Sequence, residues 1–138
     1  MAKDRPELSK KSKYWIPKHR YYELKHFVMQ KPDYELYLKE YESSGYSQAP
    51  VPGYLPSATR LIVSPTERAA MLASTYKDYI SEIMVAAFSA DKKIGNLIVE
   101  NIVSGKSYET SKMTDICSRD EYYNKYRKFF WELSRLRE

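Results

Sequence analysis

Apolar residues recur along most of the chain at the spacing of an α-helix, and no stretch keeps the strict alternation of a half-buried β-strand. The pattern therefore predicts an all-α protein. The first two expected helices occupy residues 17–42, where Pro17 begins one helix, Pro32 ends it and Asp33 caps the next. Their apolar faces consist of Tyr21, Leu24, Phe27 and Val28, and of Tyr34, Tyr37, Leu38 and Tyr41. We interpret the pair as an N-terminal helical hairpin.

Residues 43–63 interrupt this pattern with the glycines and prolines Gly45, Pro50, Pro52, Gly53 and Pro56. Loops longer than about 12–15 residues are uncommon inside compact domains. This Pro/Gly-rich linker is therefore expected to separate the hairpin from a second helical domain over residues 64–138.

The segment from Ser64 to Glu67 carries the strongest helix-start signal in the chain. Ser64 is expected to be the N-cap, Pro65 suits the first helical position, and Glu67 completes a capping box. The stripe that follows predicts one long central helix and consists of Ala69, Leu72, Tyr76, Tyr79, Ile80, Ile83 and Ala87.

The last part of the chain predicts a helix, a short helix, a turn and a long helix. The first carries Ile94, Leu97, Ile98 and Ile102 and ends at Gly105, and the short one covers Ser107–Met113. Gly95 is expected to cost the first helix about 1 kcal/mol relative to alanine. A second capping box, Ser118–Glu121, begins the long helix, whose inward residues are Tyr122, Tyr126, Phe129, Phe130 and Leu133. This layout predicts a helix-turn-helix over about residues 92–136.

The composition narrows the class of protein. The chain has 138 residues, of which 43% are hydrophobic and 30% charged, as expected for a globular domain. Its apolar stretches are far shorter than the roughly 20 residues of a transmembrane helix. The N-terminus lacks the apolar segment of a secretory signal, so we expect a cytoplasmic protein with no membrane partner. Cys117, the single cysteine, is expected to be a small packing residue before the last helix.

Residues that could carry catalysis or bind a metal are sparse. His19 and His26 lie on one predicted helix without the four ligands of a structural zinc site. No phosphate-binding loop, catalytic triad or carboxylate pair stands out. We therefore expect no enzyme activity, no metal and no cofactor.

The net charge of +5 is unevenly distributed: it is +6 over residues 1–31, −3 over 32–105 and +2 over 106–138. Residues 1–16 are expected to form a basic mobile arm. Basic ends around an acidic middle fit a nucleic-acid binder whose middle dimerises or contacts a protein. A basic tail with solvated helix faces explains the same charges equally well.

The final helix is the best candidate for a DNA-binding element. Its side opposite the aromatic stripe carries Asp120, Asn124, Lys128, Trp131 and Arg135, flanked by Arg119, Tyr123 and Arg127. Arginine can pair with guanine, asparagine with adenine, and lysine with phosphate. The alternative is a core-forming amphipathic helix without a nucleic-acid partner.

Residues 116–121, Ile-Cys-Ser-Arg-Asp-Glu, followed by Lys125, Arg127 and Lys128, resemble the turn and recognition helix of sigma-factor region 4. The wider layout resembles phage late-gene transcription activators of the RinA/ArpU type. The matching stretches are Leu24–Tyr41, Val51–Pro56, Ser64–Glu67 and Ser107–Arg135.

This resemblance implies an activator that binds double-stranded DNA in a sequence-specific way, recruits the host RNA polymerase and forms a homodimer. Ser118 would cap the recognition helix. Base or phosphate contacts would come from Arg119, Tyr123, Asn124 and Arg127, and backbone contacts from Lys106, Lys112, Lys125 and Lys128. The alternative function is a non-enzymatic protein-binding module, either an inhibitor of a host protein or a component of a phage particle or its packaging apparatus.

Overall fold

The computed structural model describes residues 13–43 and 65–138, and all regular structure within these ranges is helical. The predicted all-α class is thereby confirmed for them. The helices are α1 (Lys18–Met29), α2 (Lys31–Ser43), α3 (Pro65–Ala90), α4 (Gly95–Ser104) and α5 (Arg119–Leu136), with a 3₁₀ helix at Lys112–Asp115. None of these helices is long and apolar enough to cross a membrane. The predicted linker, the cap at Ser64 and most of the predicted arm lie outside the described residues.

The chain divides into two compact units. The first combines residues 1–30 with 82–138, and the second is 31–81. The boundary falls after Gln30, so α1 and α2 belong to different units, whereas the sequence predicted one hairpin over 17–42. The physical reason is that α1 packs on α4 and α5, while α2 packs through its tyrosines on the first part of α3.

The core of the first unit is formed by α5 and the helices packed on it. The predicted inward residues of α1 and α5 are all buried: Tyr21, Leu24, Phe27, Val28, Tyr122, Tyr126, Phe129, Phe130 and Leu133. The Tyr21 ring lies 4.9 Å from the Phe130 ring, edge to face. The hydroxyl groups of Tyr21 and Tyr126 share a hydrogen bond of 2.6 Å. Burial raises the pKa of Tyr126 far above its ordinary value, so the Tyr126 hydroxyl group stays neutral.

Tyrosines hold the second unit together. The ring of Tyr34, which is buried, lies 5.9 Å from that of Tyr76 and 5.2 Å from that of Tyr79. Tyr37 and Tyr41 also contact the Tyr76 ring. Burial, with the neighbouring phenols, raises the pKa of Tyr76. The predicted aromatic face of α2 therefore packs against α3.

The N-terminal boundary of the folded region differs from the prediction. Residues 13–16 were expected to belong to the mobile arm, but Ile16 is buried and the Tyr14 ring lies 5.5 Å from the Trp131 ring. The prediction is wrong for Tyr14 and Ile16, because one packs on an aromatic ring of α5 and the other is buried. The sequence pattern could not show the first contact, since Trp131 is more than 100 residues away along the chain.

Two other local predictions need correction. Helix α2 begins at Lys31, so Asp33 lies in its first turn and is not its N-cap. A carboxylate in the first turn is still favourable because of the helix dipole. The predicted short helix over Ser107–Met113 is replaced by a turn followed by the 3₁₀ helix at Lys112–Asp115.

Two glycines of the first unit have specific roles. Gly105 follows α4 with a φ of 77°, a left-handed conformation that suits glycine, as predicted. Gly95 allows α4 to begin very close to α3. A β-carbon on it would lie 2.0 Å from the carbonyl oxygen of Ala87 and 2.6 Å from its carbonyl carbon. This steric requirement, which intrinsic helix propensity does not include, explains why glycine occupies this helical position.

We predict that Gly95→Ala destabilises the protein although alanine is the better helix former. The added methyl group meets backbone atoms that cannot rotate away, so we expect a loss of about 1–3 kcal/mol in the free energy of unfolding. Chemical denaturation measures this loss. The control is Asn96→Ala at the next, exposed position, which should leave stability unchanged or slightly raised. Equal effects of the two changes would contradict the proposed close approach.

Candidate functional site

The start of α5 is built by the predicted cap. Ser118 has extended backbone angles, and its hydroxyl oxygen accepts a 3.1 Å hydrogen bond from the Glu121 N–H. Asp120 and Glu121 lie in the first turn. There their carboxylates are favourable for the helix dipole.

Helix α5 has two distinct sides. Its aromatic side is buried in the first unit, and helical geometry places Asn124 and Lys128 on the opposite side and Arg127 on the flank. Asn124 is exposed, whereas Arg127 and Lys128 are half-buried. The half-buried positions keep part of each side chain against the protein while the charged end can remain in water.

Arg127 and Lys128 form no ion pair with another described residue. Burial lowers the pKa of Arg127, and the carboxylate of Asp120 opposes this effect. An arginine side chain stays positively charged even so. Both side chains are therefore cations that no described carboxylate neutralises in an ion pair.

Arg119 is already engaged. Its guanidinium lies 3.3 Å from a carboxylate oxygen of Glu109 and 5.3 Å from the centre of the Tyr123 ring. The ion pair is exposed, so it contributes only about 0–1 kcal/mol. Tyr123 is half-buried and contacts the rings of Tyr108, Tyr122 and Tyr126. A phosphate could take the place of Glu109, while Tyr123 is held mainly by its aromatic neighbours.

Lys125 points toward the turn between α3 and α4. Its ammonium nitrogen lies 3.7 Å from a carboxylate oxygen of Asp91. The same carboxylate accepts hydrogen bonds of 2.7 and 3.0 Å from the N–H groups of Lys93 and Ile94. Burial raises the pKa of Asp91, but these hydrogen bonds and Lys125 outweigh it, so the net shift is downward. The structure thus gives Lys125 a contact that stabilises the first unit.

The remaining predicted cations, Lys106 and Lys112, are exposed in the segment that joins α4 to α5. This segment covers residues 105–118. It is longer than the three- to four-residue turn of a typical helix-turn-helix. Only residues 116–118, between the 3₁₀ helix and α5, form a connection of that length.

The C-terminal half of the solvent side is partly covered. Trp131 is half-buried, because the Tyr14 ring packs on it and the Arg135 guanidinium lies 4.7 Å from its ring centre. The open part of the helix is therefore its N-terminal half, around Asn124.

Sequence reasoning missed the buried polar residue Asn101. It is 7% exposed, and its amide donates hydrogen bonds of 3.2 Å to the Ser111 and Tyr122 hydroxyl oxygens. The sequence does indicate a special role for this residue, because Asn101 interrupts the apolar face between Ile98 and Ile102. A polar group on such a face requires hydrogen-bond partners.

Cys117 is half-buried rather than enclosed in the core. Burial raises the pKa of its thiol, and the negative charges of Glu121 and Asp91 raise it further by smaller amounts. A raised thiol pKa lowers the fraction of nucleophilic thiolate. His19 and His26 are exposed. Across residues 13–43 and 65–138, no group of three potential ligands could hold a metal ion.

Comparisons of the chain with protein-family models, with curated proteins and with solved structures give no match. At this site a capped helix presents an amide and two cations that form no ion pair with a described residue, beside a salt-bridged arginine. Such groups suit hydrogen bonds to base edges and phosphates.

We predict that Asp91→Asn destabilises the protein at neutral pH and has a smaller effect in acid. The carboxylate has a lowered pKa in the folded state, so its stabilisation is present above its unfolded-state value of 3.8. It is lost as the pH falls through the folded-state pKa. Urea denaturation of the wild-type protein and the variant, at pH 7 and at about pH 2.5, measures the difference between their free energies of unfolding. An equal difference at the two pH values would contradict the prediction.

Proposed function

We propose that this protein binds double-stranded DNA through the N-terminal half of α5 and activates transcription of phage late genes with the host RNA polymerase. One observation carries the proposal. Asn124 and Lys128 lie opposite the buried side of a capped helix, with Arg127 on its flank, and the two cations have no ion-pair partner among the described residues.

In this proposal the buried aromatic side of α5 fixes the helix, and its opposite side enters the major groove. Asn124 would pair with adenine and Arg127 with guanine or a phosphate. Lys128 would contact the phosphate backbone, and Arg119 would exchange Glu109 for a phosphate. Lys106 and Lys112 would add backbone contacts from the segment before the helix. Of the predicted cations, Lys125 is the least suited to contact DNA, because it already pairs with Asp91.

The finer arrangement is also part of the proposal. The 3₁₀ helix, the turn at residues 116–118 and α5 would act as the sigma-like helix-turn-helix. A homodimer would present two such helices to a two-fold DNA site. The basic N-terminal residues would add affinity without sequence preference, since phosphate contacts carry no sequence information.

We predict that Arg127→Ala combined with Lys128→Ala weakens DNA binding roughly tenfold or more and lowers the salt dependence of the affinity. Fluorescence anisotropy with duplexes selected from genomic fragments, at several salt concentrations, measures both. The matched control is Lys39→Ala with Arg68→Ala, which removes the same charge from exposed positions of the second unit. The control should bind nearly as wild type.

The proposal fails if the wild-type protein binds no duplex, or if its affinity does not change with salt. Equal weakening by the two double variants would mean that net charge alone accounts for binding. In that case α5 would not be the DNA-contacting element.

The homodimer of this proposal is supported by an apolar face on α3. Met84, Val85 and Phe88 are 36%, 47% and 62% exposed. Exposed helix faces normally carry polar or charged side chains. The partner that we propose for this face is a second copy of the chain, because a two-fold DNA site requires two recognition helices.

We predict that the wild-type protein sediments as a dimer and that Phe88→Glu sediments as a monomer. A glutamate at this position would have to lose water when the apolar interface forms, and this cost would oppose association. Leu36→Glu, at an exposed leucine of the second unit, is the control and should remain dimeric. A monomeric wild-type protein would contradict this interface without affecting the test of DNA binding.

A further inference from the structure

A hydrogen-bonded network links α4 to the segment before α5. The amide of Asn101 on α4 donates to the Ser111 hydroxyl oxygen at 3.2 Å. The Ser111 hydroxyl donates to the Tyr108 carbonyl oxygen at 3.2 Å and accepts from the Met113 N–H at 3.3 Å. One buried side chain of α4 thus fixes the fold of this segment.

The same network reaches the start of α5 at two points, one just before the N-cap and one in the first turn. The Tyr108 hydroxyl donates a 2.6 Å hydrogen bond to the carbonyl oxygen of Cys117, the residue before the N-cap Ser118. The Asn101 amide donates to the hydroxyl of Tyr122, which lies inside the first turn. We call Asn101, Tyr108 and Ser111, with the Cys117 carbonyl group, the Tyr108 clamp.

Aromatic contacts support the clamp. The Tyr108 ring lies 5.5 Å from the Tyr122 ring and 6.4 Å from the Tyr123 ring. The ion pair between Glu109 and Arg119 spans the same two segments. The start of α5 is therefore held from the segment preceding it as well as from the core below it.

We propose that Tyr108 and Asn101 are positioning residues that orient the first turns of α5 for base recognition. This inference rests on the proposed DNA-binding function. Recognition of base edges requires side chains to be placed within roughly 0.5 Å and 10–20° of the productive geometry. Phosphate contacts position a protein on DNA but carry no sequence information. The clamp therefore governs discrimination between sequences more than general affinity.

The test is Tyr108→Phe, which removes one hydroxyl group and keeps the ring contacts. Dissociation constants are measured for the best duplex selected from a randomised library and for a scrambled duplex of the same composition. We expect the affinity for the selected duplex to fall roughly 3- to 10-fold. This range corresponds to the free energy of one hydrogen bond, because in this proposal that bond holds α5 in its binding orientation. The affinity for the scrambled duplex should change less than about twofold, since phosphate contacts remain.

The matched control is Tyr22→Phe. Tyr22 is a half-buried tyrosine of the same unit whose ring lies 5.0 Å from the Tyr21 ring. Its loss of a hydroxyl group should change neither dissociation constant. Thermal unfolding of all three proteins shows that each is folded under the binding conditions.

The outcomes separate the two proposals. A wild-type protein that binds no duplex overturns the proposed function and this inference together. A wild-type protein that discriminates between the duplexes, with a Tyr108→Phe variant that keeps the same ratio of dissociation constants, overturns only this inference. Equal losses for both duplexes also overturn it, because they would show a general structural role.

Discussion

Burial of the aromatic side of α5 is the interaction on which the first unit depends. Fully burying an aromatic side chain such as Phe130 contributes about 1.5–3 kcal/mol. A buried hydroxyl group needs a hydrogen-bond partner, and the Tyr21–Tyr126 hydrogen bond supplies one to each of these two phenols. Because α5 is held along this side, its rotation about its own axis is set by the core. The side chains on its opposite face are therefore presented in a defined order.

Charge is distributed around this helix according to what each side chain contacts. Arg119 and Lys125 meet carboxylates from neighbouring segments, Glu109 and Asp91. Arg127 and Lys128 lie where the described residues provide no such partner. The predicted basic surface is thus divided into cations that already pair with a carboxylate and cations that pair with no described residue. In the proposed function, the side chains that read bases therefore lie around Asn124, and the other cations would contact phosphates.

Much of the fold and part of the site follow from local patterns. The cap at Ser118, the helix-terminating Gly105 and the inward aromatic residues of α5 each depend on interactions within a few residues. Sequence spacing therefore predicted α5 and its cap at Ser118. The same spacing could not show that Lys125 pairs with Asp91, since two residues from different elements meet only after the helices pack.

What the sequence by itself determined is the all-helical class and the two sides of α5, because helix periodicity and capping are local. Tertiary structure decided which helices form each unit, why Gly95 is required, and that Tyr108 and Asn101 hold the start of α5. These features rest on contacts between distant segments, where steric fit and hydrogen-bond satisfaction outweigh local propensity. A glycine that costs helix stability in isolation is favoured here because a backbone carbonyl group occupies the space of its missing side chain.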